Sequence, residues 1–307
     1  MKPFRGKILV IRGGAIGDFI LTLPAIAALR RQFPGAHLEV LGYPHIVQLA
    51  IIAGLVDHAR SIEARALAAF FARNGTLTED MKDYFSEFDL IVSYLYDPDH
   101  IFKSNVARCS PAQFVEGPHR PREHDGVHAS KVYLEPLERL AIFNADPVPR
   151  LPIAIPSSES RFSRLGLHPG SGSDLKNWPE AKWAELLELL MNSTRHDLLL
   201  VGGEAEGGRL QRLTAALSPT RVRVAQSLPL PELAAQLARC IGFIGHDSGI
   251  SHLAAAVGIP AVLLWGNTAE EIWRPAGEHV VVMRNRLGLA ALPVTEVLGT
   301  IQRIWRE

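Results

Sequence analysis

Cys240-Ile241-Gly242-Phe243-Ile244-Gly245-His246-Asp247-Ser248-Gly249-Ile250-Ser251-His252-Leu253-Ala254-Ala255-Ala256-Val257-Gly258 decides the fold class. The apolar run from Cys240 to Ile244 reads as a buried strand. The small residues after the turn read as a helix that ends at Gly258, just before Pro260. Asp247 or Ser248 is placed to cap that helix, and Gly249 lets a ligand approach the backbone. The first turn of a helix has unpaired N–H groups and the positive end of the dipole, so it attracts phosphate. His252 lies about one turn on from Ser248 and can face the same ligand. Strand, polar turn and tightly packed helix together describe a nucleotide or sugar-phosphate site. An ordinary capped helix in an α/β protein is the plainer account.

The same alternation runs outward in both directions, and it argues for parallel sheets built from βαβ units. In the first half, strands are expected at Lys7–Ile11, His37–Tyr43, Asp89–Tyr94 and Ala112–Val115. Helices are expected at Ile16–Phe33, Pro44–Ala53, Ala64–Asn74, Thr78–Glu87 and Ala129–Phe143, with a Pro-, Arg- and His-rich loop at Glu116–Gly126. Prolines 147, 149, 152 and 156 then mark an interdomain linker. Beyond it, strands are expected at Arg164–His168, Asp197–Val201, Val222–Ala225, Ile241–Ile244, Ala261–Trp265 and Val280–Met283. Helices are expected at Pro179–Met191, Glu206–Leu217, Leu230–Ala238, Ser251–Val257 and Val294–Arg306. The fold class is therefore α/β, with two consecutive doubly wound, Rossmann-like parallel-sheet domains over residues 1–150 and 151–307. Such domains are expected to face a cleft, and the last helix could pack back on the first domain.

The 307 residues suffice for two domains of ordinary size. Equal numbers of basic and acidic residues, 32 of each, give no global field that would recruit nucleic acid or an anionic membrane, so an acidic partner must meet a local basic patch. Cys109 and Cys240 are far apart, form no metal or disulfide framework, and fit a reducing cytosol. The apolar stretch Ile8–Leu29 is interrupted by Arg12, Asp18 and three glycines, too broken for a signal peptide or a membrane span.

Three strand-to-turn junctions carry the chemistry. The first strand runs into Arg12-Gly13-Gly14-Ala15-Ile16-Gly17-Asp18, where Arg12 replaces the first glycine of a dinucleotide fingerprint and no acidic residue ends the second strand; Glu39 lies inside it. A nicotinamide dehydrogenase is thereby disfavoured. What remains is a glycine-rich turn carrying a carboxylate, Asp18, in the first helical turn. A carboxylate there complements the dipole; as a general base it would face a bound hydroxyl, and the glycines on both sides let a substrate sit close. The second domain opens with His168-Pro169-Gly170-Ser171-Gly172-Ser173-Asp174-Leu175-Lys176-Asn177-Trp178-Pro179. Hydroxyls, free backbone N–H groups and a lysine make this a phosphate cradle, though not a P-loop. In Val201-Gly202-Gly203-Glu204-Ala205-Glu206 a carboxylate could hold ribose hydroxyls, and a plain helix cap accounts for it equally well.

Other motifs point nowhere. Asp97-Pro98-Asp99 matches a metal-binding D-x-D, but Pro98 marks a turn and no further acidic cluster accompanies it. His119, His124 and His128 show no zinc spacing. No G-x-S-x-G elbow is present.

Taken together, Lys7–Arg12 through Gly17-Asp18 to Leu23-Pro24, His168–Ser171 through Lys176–Pro179, and Asp247–Gly249 with Ser251–Ala256 resemble glycosyltransferase family 9, the heptosyltransferases of lipopolysaccharide core assembly. The resemblance implies a GT-B fold, with the acceptor bound by the first domain and the donor mainly by the second. It implies metal-independent, cofactor-free, inverting transfer of a heptose from ADP-heptose. It maps the base to Asp18 and the donor-phosphate lysine to Lys176. Donor contacts map to Gly17, Ser171, Gly172, Ser173, Asp247, Ser248, Gly249 and His252, and the nucleoside contact to Glu204 ahead of Glu206. Acceptor contacts map loosely to Gly14 and His128, with Arg60, Arg65, Arg120 and Arg122 as further basic candidates. The implied partners are a nucleotide sugar and a lipid-linked saccharide, met in the cytoplasm or peripherally at the inner membrane, with no nucleic acid. The chain is short for the family in its first domain, so a protein or small-molecule acceptor stays open. A non-catalytic nucleotide-sugar binder and an epimerase-type enzyme are the competing classes.

Overall fold

The computed structural model describes residues 5–153, 163–215 and 217–305. The chain divides into two compact units, Met1–Pro149 and Arg150–Glu307. The prolines at 147, 149 and 152 stand at that division, whereas Pro156 lies outside the described residues.

Unit 1 runs β1 (Lys7–Ile11), α1 (Ile16–Gln32), β2 (His37–Gly42), α2 (Pro44–Ile52), β3 (His58–Ser61), α3 (Glu79–Ser86), β4 (Leu90–Ser93), α4 (Ile101–Ala107), β5 (Gln113–Glu116) and α5 (Ala129–Leu134). Its sheet is parallel throughout, in the order β3-β2-β1-β4-β5. Strand β1 is central and its last four residues are buried, because helices cover both faces. One face packs on an aromatic cluster in which Phe70, Phe85 and Phe102 are fully buried.

Unit 2 runs β6 (Arg164–Leu167), α6 (Glu180–Ser193), β7 (Asp197–Gly202), α7 (Gly207–Thr214), β8 (Val222–Gln226), α8 (Leu230–Ala238), β9 (Gly242–His246), α9 (Gly249–Ala256), β10 (Ala261–Leu264), α10 (Glu270–Trp273), β11 (Val280–Met283) and α11 (Val294–Ile304). The order β11-β10-β9-β6-β7-β8 is again wholly parallel. Val294, Val297, Ile301 and Trp305 of the C-terminal segment join the core of unit 2 with Trp178 and Trp183. A Cβ on Gly242 would lie 2.1 Å from the Trp305 ring, so glycine is what lets this tryptophan seat against β9.

In both sheets the chain order reverses beside the first strand, between β1 and β4 and between β6 and β9. Loops leaving neighbouring strands there run to opposite sides and open a crevice at the carboxyl edge. That topology sets the loop after β6 beside the loop after β9, although some seventy residues separate them in sequence.

Four local expectations change. The expected helix at Ala129–Phe143 is α-helical only to Leu134 and continues as a 3-10 segment, Glu135–Leu140; Pro136 has no N–H for the i−4 bond. The stretch Ala64–Asn74 forms a 3-10 segment at Arg65–Phe71. Strand β3, with the sequence His-Ala-Arg-Ser, was not expected, since it is four residues long and has no apolar run. Helix α4 was likewise unexpected; Asp97 starts it by accepting from the N–H groups of Phe102 and Lys103 at 3.1 and 3.0 Å. That bond makes the D-x-D carboxylate a helix cap, as its proline suggests, and Asp99 pairs with Arg73.

Candidate active site

Unit 2 builds a polar floor at the edge between β6 and β9. The β6 loop turns through Gly170, Ser171 and Gly172, the last at φ +75 with open space where a Cβ would stand. Ser171 Oγ lies 2.7 Å from Asn177 Oδ1 and 2.9 Å from the Ser173 carbonyl, so the loop's hydroxyl also braces its shape. Lys176 closes a short 3-10 turn and places Nζ 2.6 Å from Asp247 Oδ2. Asp247 is buried and Lys176 half-buried, so this pair is screened less than a surface one. Of the two capping candidates, Ser248 caps α9: its Oγ accepts from Ser251 N–H at 3.3 Å and lies 3.2 Å from His168 Nδ1. Gly249 is the first residue of α9, and His252 is 5% exposed within it.

His246 ends β9 and holds this floor together. Its Nε2 accepts from the Trp178 backbone N–H at 2.9 Å and lies 3.3 Å from Trp183 Nε1, while Nδ1 lies 3.2 Å from the Gly170 carbonyl. One neutral imidazole thus ties the β6 loop to β9. Burial pushes its pKa down to about 3, against a smaller upward pull from the Gly170 carbonyl, and burial likewise pushes His168 down to about 4. His246 stood in the motif without an assigned role, because only the fold brings its two nitrogens to the loop. Arg209 is a second residue the motifs missed. It donates to the Pro169 carbonyl at 3.1 Å and pairs with Asp174 at 3.2 Å, which puts a second cation under the loop.

The carboxylates after β7 divide their roles. Glu206 accepts from Gly203 N–H at 2.9 Å, closing its own turn, and a Cβ on Gly170 would meet its side chain at 2.4 Å. Glu204 is exposed.

Unit 1 holds the other constellation. Gly14, at φ +98, leads into α1, and Gly17 is the second residue of that helix. Asp18 Oδ2 accepts from Ala15 N–H at 3.0 Å, so the carboxylate closes the first turn as dipole chemistry requires. A third of its side chain stays exposed. Arg12 is 3% exposed and fans across this turn. Its Nη2 donates to the Asp18 carbonyl at 3.2 Å and lies 3.7 Å from Oδ1, while Nη1 donates to the His119 carbonyl at 2.9 Å. The guanidinium lies over the Tyr133 ring, 4.5 Å from its centroid. The residue that broke the glycine fingerprint is therefore the buried partner of the candidate base.

The acceptor-side candidates scatter. Arg60 stacks over Tyr84 at 4.0 Å, where Tyr84 in turn donates to buried Glu39 at 2.6 Å. Arg65 is exposed on its 3-10 segment. Arg120 pairs with Glu123 at 3.5 Å. His128 caps α5, its Nδ1 accepting from Ser130 N–H at 3.3 Å. Arg122 alone of these lines a cavity of ≈430 Å³ at the carboxyl edge of β4 and β5, with Tyr96, Asp97, His100, Glu116 and His119. Partial burial, with Arg12 and Arg120 alongside, holds the His119 imidazole below its usual pKa. Among the described residues no group of three His, Cys, Asp or Glu side chains is arranged to hold a metal ion, and no helix is long and apolar enough to cross a membrane.

Residues 154–297 match the profile of glycosyltransferase family 9 (heptosyltransferase). Lipopolysaccharide heptosyltransferase 3 of Escherichia coli is 22% identical over 345 residues, covering 94% of this chain and 96% of that protein. The solved structure of E. coli ADP-heptose lps heptosyltransferase II superposes with a TM-score of 0.78 at 18% identity, over 97% of this chain and 98% of that one. E. coli heptosyltransferase WaaC with ADP gives 0.74 at 20% identity, over 97% and 100%. The two Rossmann-like sheets described above are thus the GT-B fold of these heptosyltransferases.

Proposed function

We propose, from the match of residues 154–297 to the glycosyltransferase family 9 profile and the likeness to heptosyltransferases over most of the chain, that this glycosyltransferase moves a heptose or related sugar from an ADP-sugar to a hydroxyl of lipopolysaccharide core, with inversion and without a metal. The observation that carries this reading is the contact of Lys176 with Asp247, which joins the Ser171–Ser173 loop to the Ser248-capped start of α9.

An acceptor hydroxyl attacks the anomeric carbon as the diphosphate leaves, through a transition state of oxocarbenium character. Charge grows on the leaving diphosphate. Lys176 supplies a fixed cation, the Ser171 and Ser173 hydroxyls supply donors, and the N–H groups at the start of α9 supply the positive end of a helix. In the free protein Asp247 balances Lys176; a diphosphate competes for that lysine, which Asp247 holds in place meanwhile. Unit 2 is thus the donor domain and unit 1 the acceptor domain. Asp18 takes the hydroxyl proton late, a contribution of roughly 10²–10⁴-fold. The nucleoside falls to Glu204 rather than Glu206, since Glu206 is engaged within its own turn. The acceptor is lipid-linked, and the enzyme works in the cytoplasm or against the inner face of the membrane.

Turnover of ADP-heptose with and without core oligosaccharide tests the reading. Sugar transfer that requires the oligosaccharide is expected. Donor isomerisation without acceptor would make the protein an epimerase, and donor binding without any turnover would make it a carrier.

A further inference from the structure

The cavity in unit 1 has a composition suited to a sugar ring. Tyr96 is 69% exposed and its ring lies 4.6 Å, centroid to centroid, from that of His119, with 58° between the planes, so Tyr96 offers a flat aromatic face at the rim and the imidazole stands at an angle beside it. Pyranose C–H faces pack on such surfaces, while planar polar groups at the edge bind hydroxyls. Glu116 is one such group. It is fixed by Lys103 at 2.6 Å and His100 at 2.8 Å, which leaves each oxygen a lone pair for a ligand hydroxyl. Arg122 is another: among the described residues it has no ion pair or side-chain hydrogen bond.

The cavity is also joined to the candidate base. The carbonyl of His119, a lining residue, accepts from Arg12 Nη1, and the other end of the same guanidinium holds Asp18. Tyr133 backs the guanidinium and Tyr94 backs the loop: a Cβ on Gly117 would meet the Tyr94 ring at 2.7 Å. Tyr94 Oη in turn donates to the Tyr133 carbonyl at 2.7 Å. The buried guanidinium of Arg12 therefore bridges the cavity wall and the first turn that carries the carboxylate.

We propose that this cavity is the acceptor subsite, that it takes one hydroxylated pyranose ring stacked on Tyr96 beside His119 with hydroxyls on Glu116 and Arg122, and that Arg12 is the positioning residue that aligns the ring's neighbouring hydroxyl with Asp18. The assignment rests on the transferase reading and deepens it. It also relocates acceptor recognition away from Arg60 and His128, whose side chains are engaged elsewhere in unit 1.

The test is binding of lipid-free core oligosaccharide by calorimetry, followed by steady-state transfer. Tyr96→Ala and Arg122→Gln change exposed side chains and are expected to weaken oligosaccharide binding and raise the acceptor KM about tenfold each, with ADP affinity and donor KM at wild-type values. Arg12→Gln is expected to lower kcat by about a hundredfold with acceptor KM nearly level, and Arg12→Lys, which keeps a buried cation, to recover part of kcat. Retained ADP binding shows that each variant is folded; should Arg12→Gln fail to fold, Arg12→Lys with a reduced kcat and unaltered KM carries the arm. Oligosaccharide binding that survives both exposed substitutions overturns the subsite, and an Arg12→Lys enzyme indistinguishable from wild type overturns the positioning role. No binding by the wild type overturns the subsite as well. If binding is lost as expected but the wild type transfers no sugar, the subsite stands and the transferase reading falls.

Discussion

Asp18→Asn separates chemistry from architecture. Asparagine keeps an oxygen that can accept from Ala15 N–H, the 3.0 Å bond that closes the first turn of α1. It loses the negative charge beside Arg12, whose guanidinium is 3% exposed and 3.7 Å from Oδ1. Severing a well-formed buried ion pair costs about 3–5 kcal/mol. This one is long and its carboxylate is a third exposed, so water screens it and about 1 kcal/mol is the expected loss. For a unit of this size that is a fall in Tm of roughly 2–4 °C. The catalytic loss is larger. Removing a general base costs roughly 10²–10⁴ in rate, or about 3–5 kcal/mol of barrier at 1.4 kcal/mol per factor of ten. ADP affinity should be unchanged, because the donor floor is built from unit 2. The assay is ADP release in the presence of core oligosaccharide, with calorimetry of ADP binding and a thermal melt on the same preparation. Turnover within about tenfold of wild type would refute the role of base. A parallel collapse of ADP affinity and Tm would show that Asp18 acts through the fold.

Three further outcomes are expected. EDTA leaves transfer largely intact, since Lys176 and the start of α9 provide the positive charge while Asp97 caps α4 and Asp99 pairs with Arg73; a deep loss restored by Mg²⁺ or Mn²⁺ would reverse this. Stability is level above pH 6.5 and falls below it: His168 and His246 are pushed by burial to about 4 and about 3, so the unfolded chain binds two protons that the folded chain refuses. The slope is about 3 kcal/mol per pH unit at most, on the order of a 10 °C fall in Tm by pH 5, and a level melt from pH 7 to 5 would contradict the burial of these imidazoles. Finally, the protein cosediments with acceptor-bearing vesicles at low salt and dissociates as salt rises, through the exposed side chains of Arg65, Arg120, Arg122 and Lys131, because exposed charges are screened over about 10 Å at 0.1 M; binding indifferent to salt would indicate an apolar contact, and no binding at any salt would favour a soluble acceptor.

Local rules were enough to read much of this from the sequence. Buried strands announce themselves as apolar runs, and the central strands of both units are visible that way, while the largely exposed edge strand β8, Val-Arg-Val-Ala-Gln, shows through its β-branched residues; among the described strands one shows neither signal. The exception, His58–Ser61, is an edge strand whose only requirement is backbone pairing with β2, so its side chains carry no period. Glycine turns at strand ends marked Asp18, Lys176 and Asp247, because the need for close backbone approach is itself local. Tertiary structure decided what those residues do to one another. Lys176 meets Asp247 only because β6 and β9 are neighbours in an order no local pattern states. His246 looked like one more polar residue in a turn until the fold set Trp178 and Gly170 against its two nitrogens. Arg12 looked like a defect in a glycine motif. It is a buried cation that joins the candidate base to the wall of a cavity about a hundred residues further along the chain, a relation created by the pairing of β1 with β4 and β4 with β5. Side-chain type and spacing follow from local physics, and a sequence displays them. Which loops share an edge follows from sheet order, which only the packed chain determines.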